Sequence, residues 1–387
     1  MARLYDENGR QYIDFFAGAG ALNYGHNNDY IKSRILEYFQ NDGVTHALDM
    51  YTNAQKNFLE AFEEKILKPR NLNYKVQFCG PTGANSVEAA LKLARKAKGR
   101  SGIFAFTGSF HGMTMGSSSV TSNTDYQKVI GTQMTGVTFM PFPFGFYESF
   151  DTISYIEEVL KDPNSGVAKP AAIILETVQC DGGICVAPED WLVRLRALCD
   201  AYDVLLIVDD VQAGCGRTGN FFSFERAGIV PDIVTVSKSI SGYGLPMAIV
   251  LIKPELDVWA PGEHTGTFRG FQPAYVGAAA ALEYREIADI DNETRRKGAI
   301  AYKYLKENVE TLSDAIDVRG LGLLYGIDCH DTRLSKAVVA ECFKNGLIIE
   351  RTGRNDEVVK FLPPLIIPEE DMMAGLKILR DAVAKCV

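Results

Sequence analysis

Asp209 closes the apolar run Val204-Leu-Leu-Ile-Val208, and Lys238 follows the run Asp232-Ile-Val-Thr-Val-Ser237. Each charge falls where a buried parallel strand would stop and a loop begin. In open α/β sheets, ligands gather outside the carboxyl ends of such strands. An acid and a lysine converging there suit pyridoxal phosphate chemistry. The lysine forms a Schiff base with the aldehyde, and the acid keeps the pyridine nitrogen protonated so that the ring acts as an electron sink. The pairing points to amino-acid chemistry rather than to hydride or phosphoryl transfer.

Other segments could complete such a site. Gly80-Pro-Thr-Gly-Ala-Asn-Ser86 joins an expected strand to an expected helix. A small-residue loop at a helix N-terminus offers N–H groups and a positive dipole end to a phosphate. An ordinary tight turn fits the same residues, which match neither Gly-x-Gly-x-x-Gly nor the Walker pattern. Phe110-His111-Gly112 follows the next strand. Phe110 could stack on a flat ring, or be a core side chain beside a surface histidine. In Asp209-Asp210-Val211-Gln212, Asp209 could hold a ring nitrogen, Val211 pack on the ring face and Gln212 bond a phenolic oxygen. Two adjacent acids also suit a solvated loop or a metal site. The preceding buried strand weighs against the loop, and the lack of neighbouring ligands weighs against the metal. Lys238 stands between Ser237 and Ser239, ahead of Gly242-Tyr-Gly-Leu-Pro246. Most lysines are surface lysines. An apolar or cationic setting here would lower its pKa and make it a nucleophile and then a base.

The elements that must position these groups alternate. Strands are expected at Lys75–Cys79, Gly102–Phe106, Val137–Met140, Ala171–Leu175, Val204–Val208, Asp232–Val236 and Met247–Ile252. Several are continuous Val/Ile/Leu runs, as strands buried on both faces are. Asn85–Lys98 reads as a helix, with Val87, Ala90, Leu91 and Ala94 on one stripe and Asn85 with Glu88 as its start signal. Trp191–Tyr202 reads as another. Strand–helix alternation implies an α/β fold with a mainly parallel sheet. Beyond Gln272 the pattern changes to a long helical region over Pro273–Ala315, broken near Asp289–Asn292. A Gly-rich strand over Val318–Cys329, a helix over Leu334–Lys344, two short strands and a final helix over Glu369–Lys385 follow. This forms a smaller α/β unit, joined by an N-terminal hairpin over Tyr5–Ile13 around Asn8-Gly9. The expected division is a large cofactor-binding domain at 46–280, with 1–45 and 281–387 making the small domain.

A chain of 387 residues has ample length for a large core. Its net charge of -9 disfavours a nucleic-acid partner. No apolar run approaches the roughly 20 residues of a membrane span, and the first residues carry no apolar signal core. A cytoplasmic location is expected. The 8 cysteines include no Cys-x-x-Cys, and the 5 histidines show no metal spacing, so reduced thiols and no metal are expected.

Taken together, the segments resemble the class III aminotransferases, pyridoxal-phosphate enzymes of fold type I. The likeness runs through Gly80-Pro-Thr-Gly-Ala-Asn-Ser-Val-Glu-Ala-Ala-Leu-Lys92, Ser109-Phe-His-Gly112, Leu175-Glu-Thr-Val-Gln179, Val208-Asp-Asp-Val-Gln-Ala-Gly-Cys-Gly-Arg-Thr-Gly219, Ser237-Lys238, Gly266-Thr-Phe268 and Val318-Arg-Gly-Leu-Gly322. Within that class, three stretches resemble the diaminobutyrate–2-oxoglutarate branch of ectoine biosynthesis. They are Phe15–His26, Leu245–Trp259 and Pro261–Gly270. That branch moves an amino group from glutamate to aspartate semialdehyde.

The resemblance implies roles for individual residues. Lys238 is the Schiff-base lysine and proton shuttle, and Asp209 pairs the pyridine nitrogen. Phe110 and Val211 cover the two ring faces, with His111 beside the cofactor. Gln212 contacts the ring oxygen, with Glu176 close by. Gly83 and Ala84 bind phosphate through their N–H groups. Thr267 reaches the phosphate of a neighbouring subunit, which implies a homodimer or larger homo-oligomer with shared sites. Tyr24 and Arg269 are further substrate residues by the same likeness. The substrates implied are amino acids and 2-oxo acids.

The chain departs from the class pattern at three places. Many members hold the glutamate carboxylate with an arginine before the Pro-Pro-Leu segment, and swing it aside with an acid. Here those positions are Lys360 and Asp181. Lysine is a point charge without arginine's bidentate fork, and the diaminobutyrate branch tends to share it. Asp181 and Lys360 are expected to form a shorter switch pair; a surface lysine at a strand edge is the competing reading. The branch also continues Phe-Arg-Gly with Asn-Asn, where this chain has Phe271-Gln272-Pro273. Members carry a segment ahead of the Tyr5–Ile13 hairpin that helps cover the site, and this sequence starts late by comparison. The alternative enzymes are an aminotransferase for ornithine, acetylornithine or 4-aminobutyrate, and an aminomutase that needs no external 2-oxo acid. A silent cofactor-binding protein on the same fold is the non-enzyme alternative. It sits poorly with Lys238, Asp209 and Gln212 standing together.

Overall fold

All seven expected strands pair in one sheet. The computed structural model describes residues 1–129 and 136–387. The sheet order is Lys75–Phe78, Ile249–Ile252, Ile233–Val236, Leu205–Asp209, Ala172–Leu175, Ile103–Phe106 and Val137–Met140. Ile249–Ile252 runs antiparallel to both neighbours, and the remaining pairs are parallel. Alternation along each strand sorts side chains to two cores. Phe104, Phe106, Ile173, Leu175, Leu206, Val208, Val234 and Val236 face a cluster with Phe58, Phe62 and Trp191. Ile103, Ala105, Ala172, Ile174, Leu205, Ile207 and Ile233 face the apolar stripe of helix Gly83–Lys98. Burial on both faces explains the continuous apolar runs.

The start of that helix differs from expectation. Thr82 is the N-cap, and Asn85 completes a capping box with it. Glu88 instead accepts hydrogen bonds from Gly116 N at 2.8 Å and Thr114 Oγ1 at 2.5 Å. Thr82 wins because an N-cap oxygen must reach the N–H groups of the first turn, and the helix begins at Gly83. The helix expected at Trp191 begins at Glu189 and ends at Ala201.

A second group of elements surrounds its own core. Arg3–Tyr5 and Gln11–Asp14 form the expected hairpin, with Leu347–Ile348 parallel to its second strand. The expected single strand over Val318–Cys329 is two, Asp317–Leu321 and Leu324–Asp328, paired as a hairpin. Gly322 turns the chain with a left-handed φ of 61°, which glycine adopts without the Cβ clash. Val358–Phe361 and Glu350–Thr352 complete this sheet, so three short strands follow the helix Thr332–Lys344 rather than two. The long helical region breaks as expected, into Gln272–Ile287 and Ile290–Asn308, with Asp289 left-handed between them. No helix among the described residues is long and apolar enough to cross a membrane. No cluster of three metal-ligating side chains occurs among the described residues.

Candidate active site

The carboxyl ends of the parallel strands meet at one cavity of about 290 Å³. Five of the seven strands lead into it. Asp209 is the last residue of Leu205–Asp209, and Glu176 directly follows Ala172–Leu175. Lys238 stands two residues beyond Val236, and Phe110 and His111 lie in the loop after Ile103–Phe106. Gly83 and Ala84 open the helix that follows Lys75–Phe78. Asp181, Val211, Gln212 and Lys360 line the same space. Eleven of the expected site residues are therefore together: Gly83, Ala84, Phe110, His111, Glu176, Asp181, Asp209, Val211, Gln212, Lys238 and Lys360.

Glu350, which nothing in the sequence singled out, lines the same space beside Lys360.

Hydrogen bonds fix the acid at the strand end. Asp209 Oδ1 accepts from Thr235 Oγ1 at 3.0 Å and from Val211 N at 3.1 Å. His111 Nδ1 lies 2.7 Å from Asp209 Oδ2. Thr235 stands directly opposite Asp209 in the parallel register, so the polar residue inside Ile-Val-Thr-Val was its signal. Asp210 points the other way, accepting from Ser223 N at 3.0 Å, and burial pushes its carboxyl up to about 7. Glu176 Oε1 accepts from Phe110 N at 2.9 Å, and burial together with the charge of Asp209 raises its pKa well above the usual range. Gln212 Nε2 donates to Ala19 O at 2.7 Å, and Ser239 Oγ donates to Gly20 O at 2.6 Å. The segment carrying those carbonyls holds Ala17 and Ala19 at positive φ, backbone strain of the kind found at functional sites.

Lys238 is itself left-handed, with φ 54°. Burial lowers its pKa, and the charge of Lys360 lowers it further. Gly242 ends its short helical turn with φ 73°, and a Cβ there would sit 2.3 Å from Ala281 Cβ. Gly242→Ala is expected to destabilise the protein by about 1–3 kcal/mol through overpacking, with the strained φ adding to it. Thermal unfolding checks this, and an unchanged midpoint would contradict the packing argument.

The residues present fit a flat, anionic cofactor. The N–H groups of Gly83 and Ala84 have no acceptor among the described residues, as first-turn amides do until a ligand or cap meets them. A Cβ on Gly83 would lie 2.9 Å from Val211 Cγ1, so only glycine lets backbone and side chain close this end. His111 Nε2 is buried with no hydrogen bond among the described residues.

Other expected residues pair differently or lie away from this chain's own cavity. Lys360 Nζ lies 2.6 Å from Glu350 Oε1, and no ion pair joins it to Asp181. The expected Asp181–Lys360 pair is thus replaced, because Glu350 stands opposite Lys360 in the antiparallel register. Asp181 is raised by burial, while the charges of Lys360 and Lys238 oppose that rise. Tyr24 is buried against Tyr284 and does not line the cavity. Arg269 pairs with Asp49 and donates to His264 O at 3.3 Å, also away from the cavity. Thr267, expected to serve a neighbouring subunit, is exposed and lines no part of its own chain's cavity. Ala19 was missed: it sits in a quoted stretch, but only its contact with Gln212 marks it.

A family model described as aminotransferase class-III matches residues 2–383. The chain is 52% identical to a diaminobutyrate–2-oxoglutarate transaminase of Wolinella succinogenes, covering 99% of this chain and 90% of that protein. A protein of the same name from Streptomyces coelicolor is also 52% identical, over 99% of this chain and 91% of its own length. Among solved structures, an ornithine aminotransferase from Toxoplasma gondii superposes with a TM-score of 0.87 at 27% identity, covering 99% of this chain and 88% of that one. An amine transaminase from an uncultivated Pseudomonas species, in its PLP-bound form, gives 0.90 at 25% identity, covering 100% and 93%.

Proposed function

The chain belongs to the class III aminotransferases and has their fold-type-I architecture, and we propose that it exchanges an amino group between glutamate or 2-oxoglutarate and the terminal carbon of 2,4-diaminobutyrate or aspartate semialdehyde. Pyridoxal phosphate is the cofactor in this reading. The observation that carries it is the meeting, in one cavity, of a buried lysine and an acid at adjacent strand ends with a second lysine across from them. Identity of about half, over nearly the whole chain, to the named relatives supports the choice of substrate.

When bound, the cofactor supplies a carbonyl carbon to carry the amino group and a ring that takes up electrons from the substrate. Lys238 would hold its aldehyde end. Asp209 would face the ring nitrogen, its position set by Thr235 and Val211. Phe110 and Val211 would bound the ring faces, and Gln212 and Glu176 its oxygen. The first-turn amides at Gly83 and Ala84 would take the phosphate. The lowered pKa of Lys238 favours its neutral amine, which can accept a proton from the substrate carbon and return it. We read the active form as a homodimer in which Thr267, exposed on its own subunit, reaches the neighbouring site.

The test is the visible absorbance of the cofactor-loaded protein after adding L-2,4-diaminobutyrate, ornithine, 4-aminobutyrate or glutamate. Diaminobutyrate and glutamate are expected to bleach the band, and the other two to do so poorly. A band that answers to ornithine or 4-aminobutyrate instead would discard the substrate assignment and keep the aminotransferase.

A further inference from the structure

The cavity holds an ion pair that amino transfer at Lys238 leaves without a task. Glu350 and Lys360 stand opposite each other on adjacent antiparallel strands. Glu350 Oε1 lies 2.6 Å from Lys360 Nζ, with the two side chains 28% and 5% exposed. That buried oxygen has its ion-pair partner in Lys360 and accepts no hydrogen bond among the described residues. Both residues line the same space as Lys238. The ladder fixes both backbone positions, and the pair therefore presents a positive and a negative charge side by side.

An amino acid that reacts at its terminal amine turns its other end away from Lys238. That end carries a carboxylate and an ammonium. A substrate with a carboxylate alone would take Lys360 and strand Glu350 as an unpaired charge, which is costly where water is scarce. A substrate with both charges satisfies both side chains. We propose that Glu350 is a specificity-determining residue, which with Lys360 reads the α-ammonium and α-carboxylate of the terminal-amine substrate. This rests on the aminotransferase reading given above. Diaminobutyrate and aspartate semialdehyde both carry that end. 4-Aminobutyrate lacks the ammonium, and so does the side-chain end of glutamate when it reacts at its α-amine.

The experiment uses the cofactor-loaded Glu350→Gln protein and follows bleaching of the visible band by each amine separately. The apparent affinity for diaminobutyrate should fall by about tenfold to a hundredfold, the size of a charge-assisted hydrogen bond. 4-Aminobutyrate and glutamate should be unchanged or improved. Equal losses for diaminobutyrate and 4-aminobutyrate, or no loss for diaminobutyrate, would overturn the assignment. Glu350→Asp keeps the charge with a shorter reach and guards against a variant that fails to fold. It should lie between wild type and Glu350→Gln in its preference for diaminobutyrate over 4-aminobutyrate, and an unchanged preference would overturn the proposal. If the wild-type protein ignores diaminobutyrate, the functional reading itself fails. If the wild type responds and the preference survives in both variants, only the role of Glu350 fails.

Discussion

Lys238→Met is expected to lower amino transfer by roughly 10⁴-fold, the upper end of what a positioned acid–base group contributes. Methionine keeps the approximate length of the side chain and removes the amine. The loss should appear in the first half-reaction with glutamate as well as with diaminobutyrate, because one amine serves both. Stopped-flow absorbance measures it directly. Activity within a hundredfold of wild type would mean that another group moves the proton. The same variant should cost no stability. Burial and the charge of Lys360 lower the Lys238 pKa below its ordinary 10.5. Between the lowered and ordinary values, the unfolded chain holds a proton that the folded chain does not, so stability rises with pH across that window. Below the window the folded protein carries the full cost of a buried charge. Methionine removes that cost, and cofactor-free Lys238→Met should melt no lower than cofactor-free wild type at neutral pH.

Asp209→Asn should lower turnover by roughly 10²–10³-fold, the range for removing one preorganised electrostatic partner. The amide oxygen can still accept from Thr235 and Val211, which bond Oδ1 in the wild type. The amide nitrogen would face His111 Nδ1 where Oδ2 now stands at 2.7 Å. Geometry is thus nearly kept, and the charge is what goes. Turnover is measured with saturating cofactor, so that weaker binding does not masquerade as slower chemistry. A variant within tenfold of wild type would remove Asp209 from its proposed electrostatic role.

The sequence by itself determined the large sheet and two of the charges that its cavity brings together. Apolar runs and helical stripes are local signals, and burial on both faces makes them continuous. The ends of those runs placed Asp209 as the last residue of its strand and Lys238 two residues beyond the next, where they are. Local chemistry was less reliable at boundaries, where Asn85 looked like a helix start until Thr82 proved to be in reach of the first-turn amides. Only the tertiary structure decided which charges meet. Lys360 pairs with Glu350 and not with Asp181, because the register of two short strands sets the pair across the loop between them. Thr235 reaches Asp209 for the same kind of reason, through parallel register. Tyr24 and Arg269, drawn in by likeness, are held away by Tyr284 and Asp49. Periodicity tells which face of an element is buried, but the partner across a sheet depends on register, and register is fixed only when the whole core packs.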